Sequence, residues 1–222
     1  MHDILIEEKI LAENGRLAGE NRGFLRQRGI FAINMISSPG AGKTSLIEKA
    51  APHLKKSLGG FAVIEGDLAT DLDSCRVSRL GVPVKQITTG KACHLDAHNI
   101  SHALPWVEGL EKLSLLIIEN VGNMVCPAEY DLGEEIKVTV MSAAEGDDKP
   151  LKYPAIFAAS SVLVLNKTDL VPHTDFSLER ARENALRINP SLRIFETSCR
   201  TGEGIEGWSG FIAGLAGSVR PR

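Results

Sequence analysis

The sequence predicts a three-layer α/β/α fold on a mostly parallel sheet of about seven strands, with an N-terminal helix in front, and three observations predict it. Seven short apolar runs rich in β-formers alternate with helical stretches, the pattern of βαβ units whose sheet is covered on both faces. Nearly every residue with chemistry to offer lies just after one of those runs, where open parallel sheets bind their ligands. A glycine-rich stretch also follows the first run and opens a helix.

Residues 1–28 place Ile6, Ile10, Leu17 and Phe24 on one helical face with Glu, Lys and Arg between them, which predicts an amphipathic helix ended by Gly29. Residues 29–222 form the main domain. Its strands are expected at 30–36, 61–64, 84–88, 113–118, 136–141, 161–165 and 192–196. The connection between the fourth and fifth runs is short and lacks a clear helix, so any departure from parallel pairing is expected there. The strand-end segments are 37–44, 65–73, 89–94, 119–126, 142–148, 166–169 and 197–201. The sequence shows no internal repeat.

A chain of 222 residues suits one domain with a substantial core. The net charge of −3 offers no basic surplus for nucleic acid, and the 5% aromatic content leaves few stacking platforms. The apolar stretch Leu115–Ile118 is far too short to span a membrane, and Asp3, Glu7 and Glu8 break up the N-terminus, so neither a membrane helix nor a signal peptide is expected. The expected compartment is the cytoplasm. Cys75, Cys93, Cys126 and Cys199 are too sparse for a disulfide framework and are expected to be reduced.

Ser37-Ser38-Pro39-Gly40-Ala41-Gly42-Lys43-Thr44 has the context of a phosphate-binding loop, and the nucleotide-binding residues expected from it are Ser38, Pro39, Gly40, Ala41, Gly42, Lys43, Thr44 and Ser45. Its glycines let backbone N–H groups turn toward phosphate oxygens, Lys43 neutralises β and γ charge, and the Thr44 hydroxyl ligates Mg²⁺. Ser37 stands where the usual pattern begins with Gly. Asn166-Lys167-Thr168-Asp169 follows the sixth run. The Asp169 carboxylate accepts from the ring N–H and amino group of guanine, a donor pair adenine lacks, while the Lys167 stem lies along the base. Alone, the string is also a common helix cap. Ser198 and Cys199 after the last strand are placed to close over the base.

Asp67 and Glu119 end apolar strands, where a carboxylate reaches Mg²⁺ directly or through water. Lys43, Asp67, Asp71 and Glu119 are therefore the catalytic candidates, with Asp71 either positioning water or capping a helix. No glutamine stands beside Gly122 to orient water, so slow intrinsic hydrolysis is expected. Cys93-His94 and Cys126 lie at the same strand ends, and thiolate and imidazole are ligands for Zn²⁺ or Ni²⁺. Three ligands are one short of tetrahedral, and water, His98 or a second subunit can complete the set.

The segments SSPGAGKTSL, EGDLATDLDSCR, TTGKACHLDA, ENVGNMVCPAEYDLGE and NKTDL, in that order, resemble the HypB family of hydrogenase-maturation nickel-insertion GTPases, within the SIMIBI class of phosphate-loop GTPases. The distinguishing part is Cys93-His94 with Cys126-Pro127 and Asp131-Leu132-Gly133-Glu134. The resemblance implies GTP, Mg²⁺ and Ni²⁺ or Zn²⁺ as cofactors and GTP-favoured homodimerisation with the Cys93, His94 and Cys126 metal site near the interface. It also implies handover of nickel to a hydrogenase large subunit together with a partner metallochaperone. A lysine contacting the nucleotide of the other subunit matches Lys152 best and Lys149 next. Many bacterial members carry a Cys-rich or His-rich N-terminal nickel site. Nothing of that kind precedes Cys75, so nickel storage is not expected. A urease-accessory GTPase has a Cys-Pro-His motif instead, and the other alternative is a GTP-gated interaction module with structural Cys and His.

Overall fold

The computed structural model describes residues 2–67, 72–90 and 92–219. In chain order the elements are α1 (His2–Gln27), β1 (Phe31–Ser37), α2 (Lys43–Leu58), β2 (Phe61–Asp67), α3 (Leu72–Ser78), β3 (Val84–Thr88), α4 (Ala97–Glu108), β4 (Leu115–Glu119), β5 (Ile136–Ser142), α5 (Lys149–Lys152), α6 (Pro154–Ala159), β6 (Val162–Asn166), α7 (Leu178–Ile188), β7 (Arg193–Thr197) and α8 (Ile205–Ser218). Short 3₁₀ turns occupy Cys126–Ala128 and Thr168–His173.

The strands form one sheet in the order β3-β2-β4-β1-β5-β6-β7, with every pairing parallel. Alternate side chains face opposite layers, as the two-residue period of a strand requires. Ile33, Met35, Phe61, Val63, Leu115, Ile117, Val162 and Val164 pack with Leu46 and Ile47 of α2 and Trp208 and Ile212 of α8. Ala32, Ala62, Ile64, Leu116 and Ile118 pack on the other side with Leu25, Ile100 and Leu104. Ile36, Met141, Leu163 and Leu165 meet Ile156, Phe157 and Ala181. No helix among the described residues is long and apolar enough to cross a membrane.

Two expectations are corrected. The fourth and fifth strands are both parallel to β1, which lies between them, so residues 120–135 form a crossover with no regular helix. The missing cover comes from α1. Its Leu25 shares a core cluster with Leu132 of that crossover, and its Arg22 donates to both carboxylate oxygens of Asp131 at 2.6 and 2.7 Å.

The buried stripe of α1 also differs from the one expected. Ile10 is 53% exposed, Leu17 and Phe24 are half-buried, and the side chain of Ile6 lies outside those described. Asn14, Ala18, Asn21 and Leu25 are buried instead. The Asn14 amide donates to Asp131 O and accepts from Ala97 N, both at 2.8 Å. The Asn21 amide donates to Ala97 O at 2.8 Å and Leu132 O at 3.1 Å. These amides satisfy loop backbone groups that have lost water, so polar residues take the inward face. Asn21→Ala leaves two buried carbonyls unmet and is expected to lower stability by about 2–3 kcal/mol, read from the urea unfolding midpoint, with faster proteolysis within α1. A midpoint unchanged within error would mean that water replaces the amide.

Acid loosens the same anchor. Burial opposes ionisation of Asp131, but Arg22 and the Gly133 N–H outweigh it and hold its carboxyl below the usual range. Arg26 does the same for Glu135. Carboxyls depressed by folding contribute stability above their unfolded values and lose it as pH falls through the folded ones.

Candidate functional site

The carboxyl ends of β1, β2, β4, β6 and β7 gather the chemistry-bearing residues along one edge of the sheet. Residues 37–44 loop from β1 into α2 with Gly40 at φ 75° and Gly42 at φ 102°, conformations that favour glycine. A Cβ on Gly42 would stand 2.5 Å from Asn166 Nδ2, so both its backbone angle and the space around it require glycine. Asn166 is the reason for that closeness, since its amide donates to Ala41 O at 2.9 Å and ties β6 to the loop. Lys167 Nζ donates to Gly40 O at 2.7 Å. The string expected to read the base thus also braces the phosphate loop.

Lys43 is only 8% exposed and its Nζ donates to Ser37 Oγ at 2.9 Å. Burial lowers the Lys43 pKa, and the nearby carboxylates of Glu119 and Asp73 oppose that shift. Ser37, fully buried, therefore gives the ammonium a partner that glycine at this position would not. The Thr44 hydroxyl donates to Glu119 Oε1 at 2.7 Å. Asp67 ends β2, whereas Asp71 lies outside the described residues.

Glu65 is the residue sequence reasoning missed. It lies directly opposite Glu119 in the β2–β4 register, both are buried, and Oε2 of each has no hydrogen-bond partner among the described residues. Burial, then the Glu119 charge, pushes the Glu65 carboxyl up to about 8, and burial raises Glu119 as well against the pull of Lys43. Two water-excluded carboxylates beside a threonine hydroxyl suit a hard cation. The available signal was its place at the head of the strand-end segment 65–73. Because folding raises its pKa above the unfolded value of about 4.3, the protein without cation or nucleotide is expected to lose stability as pH rises from about 5 to 8. Glu65→Gln makes that slope shallower, leaving what Glu119 contributes, and adds on the order of 2–4 kcal/mol at pH 8, read by urea unfolding in chelator. An equal slope in the variant would exonerate Glu65.

On the base side, Asp169 Oδ1 accepts from Ser198 Oγ at 2.6 Å, and Thr197 Oγ1 and Cys199 Sγ both donate to Asn166 Oδ1. Burial pushes the Cys199 thiol up. Ser45 Oγ accepts from Arg76, which also pairs with Glu48 and Asp73 and so fixes α3 against α2. Cys75 is half-buried on α3. Of the two lysines, Lys149 Nζ donates to Ser38 Oγ at 2.9 Å, inside its own phosphate loop, while Lys152 is mostly exposed and pairs with Asp148.

Cys93, His94 and Cys126 come together with one ligand atom from each, all within 4.8 Å of one another. The two Sγ atoms are 3.4 Å apart, and Cys93 Sγ is 3.7 Å from His94 Nδ1. Two sulfurs at about 2.3 Å from a tetrahedral ion stand roughly 3.8 Å apart, so a small opening admits one. His94 packs against Tyr130 with ring centroids 4.1 Å apart and planes tilted by 45°, and burial lowers its pKa, which favours the neutral imidazole a metal would need. The Cys93 thiol's hydrogen bond, then burial, raises Cys126, as expected of a sulfur pair sharing a proton. His98 is not part of this group. The segment from Glu119 to Cys126 lies against the phosphate loop. A Cβ on Gly122 would be 2.9 Å from Pro39 Cα, and Ser38 Oγ donates to Met124 Sδ at 3.1 Å.

A phosphate loop at the end of a central strand, braced by an Asn-Lys-Thr-Asp string across the sheet, defines a phosphate-loop GTPase of the SIMIBI class. The CobW/HypB/UreG nucleotide-binding domain matches residues 31–196. The chain is 50% identical over 207 residues to hydrogenase maturation factor HypB of Azotobacter vinelandii, spanning 93% of this chain and 68% of that protein. Among solved structures, HypB from Helicobacter pylori in complex with nickel superposes with a TM-score of 0.87 at 37% identity, covering 92% of this chain and 95% of that one. Hydrogenase maturation factor HypB from Archaeoglobus fulgidus gives 0.86 at 40%, covering 92% and 99%. The chain belongs to the HypB family of hydrogenase maturation factors.

Proposed function

We propose that this chain is a GTP-hydrolysing nickel metallochaperone for [NiFe]-hydrogenase maturation, with residues 1–28 as a leading helix on a GTPase domain of residues 29–222. The observation that carries it is the contact between two sites: the segment bearing Cys126 packs through Gly122 and Met124 on Pro39 and Ser38 of the phosphate loop.

In this account the loop from Ser38 to Ser45 wraps the phosphates, and Lys43 leaves Ser37 Oγ for the β and γ oxygens. Asp169, steadied by Ser198, accepts from the guanine edge, with Lys167 along the base and Cys199 beside it. The buried Glu65 and Glu119 oxygens and the Thr44 hydroxyl fit Mg²⁺, with Asp67 at the strand end nearby. When bound, Mg²⁺ supplies neutralisation of phosphate charge. Lys43 opposes the charge that develops on the phosphates, and Asp71 positions the attacking water. Hydrolysis is slow because no glutamine beside Gly122 holds that water. Cys93, His94 and Cys126 carry Ni²⁺ as cargo and also accept Zn²⁺.

Cys93 is exposed and Lys152 reaches outward, which suits a homodimer joined along this edge, with Lys152 directed at the partner's nucleotide. A partner metallochaperone and a hydrogenase large subunit complete the transfer in the cytoplasm, without nucleic acid or membrane. Sedimentation with GDP or a non-hydrolysable GTP analogue, each with and without Ni²⁺, tests this. A dimer favoured by the analogue and altered by Ni²⁺ supports it, whereas one sedimentation coefficient in all four conditions sinks it.

A further inference from the structure

Segments 119–122 and 131–134 meet in the interior through side chains that bind neither nucleotide nor metal. Asn34, Asn120 and Glu134 are 0%, 1% and 5% exposed. Glu134 Oε1 accepts from Asn34 Nδ2 at 3.2 Å and from Lys137 Nζ at 2.7 Å, and its Oε2 accepts from Leu132 N at 2.7 Å. Asn34 Oδ1 in turn accepts from Asn120 Nδ2 at 3.3 Å. With its amide nitrogen held there, Asn120 turns Oδ1 toward two backbone donors, Leu95 N at 3.0 Å and Val121 N at 2.9 Å. Leu95 directly follows the ligand pair Cys93-His94.

We infer that Asn120 is a positioning residue for the metal cluster: it ties the Cys93-His94 pair to the end of β4 beside Glu119, and so makes nickel affinity follow the nucleotide state. The inference rests on the reading of that cluster as the nickel site and of Glu119 as part of the nucleotide site.

Cys93 and His94 lie in the connection between β3 and α4, so their placement depends on what grips the chain beside them. Two strand ends grip Leu95. Its N–H goes to Asn120, one residue beyond Glu119, while its side chain, fully buried, lies over Gly66, where a Cβ would stand 2.7 Å from Leu95 Cγ. Gly66 sits between Glu65 and Asp67 on β2. Asn123 Nδ2 adds a bond to Cys93 O at 3.3 Å, from the segment that also carries Cys126.

The task at position 120 needs an amide. A carboxylate cannot donate to Asn34 Oδ1, and an apolar side chain of the same shape leaves the Leu95 and Val121 N–H groups unmet in the interior. Every oxygen of Asn34, Asn120 and Glu134 accepts a hydrogen bond, and a satisfied buried network favours one arrangement. A shift of the Glu119 end is therefore passed on to residue 95. Groups that orient metal ligands in this way commonly change affinity 10- to 100-fold when removed.

Titration of the full chain with Ni²⁺ in GDP and in a non-hydrolysable GTP analogue tests the inference on wild type and Asn120→Ala. The variant keeps all three ligands, and its ratio of the two dissociation constants should be at least threefold closer to one than that of the wild type. A purely structural asparagine would weaken nickel equally in both nucleotides, and that unchanged ratio would overturn the inference. If Asn120→Ala does not fold, Asn34→Ala serves, because it frees the Asn120 amide nitrogen while leaving its oxygen in place; the ratio should again fall, and a wild-type ratio would count against the inference. A readout without metal comes from NMR of the wild type. The Leu95 and Val121 amide protons share one acceptor and should both shift when the analogue replaces GDP, whereas a stationary Leu95 signal beside a shifted Val121 signal would refute the link. Equal Ni²⁺ constants in the wild type itself would instead remove the coupling between the two sites, and the inference with it.

Discussion

Asp169→Asn is expected to weaken GTP more than tenfold and to make xanthosine triphosphate the better ligand. In the proposed reading the carboxylate receives two donors from the guanine edge, and hydrogen bonds to a charged group contribute about 1.5–3 kcal/mol each. An amide at this position offers an N–H in place of one acceptor, which suits the additional carbonyl of xanthine. Ser198 Oγ already donates to Oδ1 and fixes the carboxylate plane, so the change acts on recognition more than on the fold. Competition of labelled GTP by the two triphosphates reads the switch directly. An unchanged ratio of dissociation constants would remove Asp169 from base recognition and leave it as the acceptor of the Ser198 hydroxyl within the 3₁₀ turn Thr168–His173.

The second large effect concerns the metal cluster. Cys126→Ala is expected to lower Ni²⁺ affinity at the sulfur site more than tenfold, because Cys93 and His94 alone leave two neighbouring ligands where three had converged. In the wild type, Ni²⁺ dissociation constants measured with GDP and with a GTP analogue should differ by about 5- to 150-fold, the range of coupling energies of about 1–3 kcal/mol. The path is short. Glu119 accepts from Thr44, Gly122 sits on Pro39, Ser38 donates to Met124, and Cys126 follows two residues later. By linkage, Ni²⁺ must change nucleotide affinity by the same factor. Equal Ni²⁺ constants in the two nucleotide states would dissolve the coupling, and Ni²⁺ affinity unchanged by Cys126→Ala would move nickel elsewhere.

Much of this was legible in the chain. The strands at 31–37, 84–88 and 136–142 lie within a residue of the runs that predict them, since apolar β-rich segments bounded by polar strand ends leave little freedom of assignment. The phosphate loop, the Asn166–Asp169 string and the Cys93, His94 and Cys126 group were readable because each needs fixed residue types at strand ends. Other features were not. A hydropathy pattern ranks Ile10 above Asn21, yet Asn21 is buried because two loop carbonyls require a donor there. Glu65 opened one of the strand-end segments, but nothing singled it out from its neighbours until the β2–β4 register set it against Glu119. The spacing that makes Lys152 a candidate gives no hint that Lys149, three residues earlier, turns back onto Ser38.

The sequence by itself determined the elements, their alternation and the local chemistry at each strand end, because periodicity, glycine conformations and donor types are properties of short segments. Only the tertiary structure decided that β1 separates β4 from β5, that α1 covers the helix-free crossover between them, and that Cys126 rides on a segment pressed against the phosphate loop. Those are relations between residues far apart in the chain, fixed by backbone hydrogen bonds and close packing across the sheet, and no local pattern encodes them.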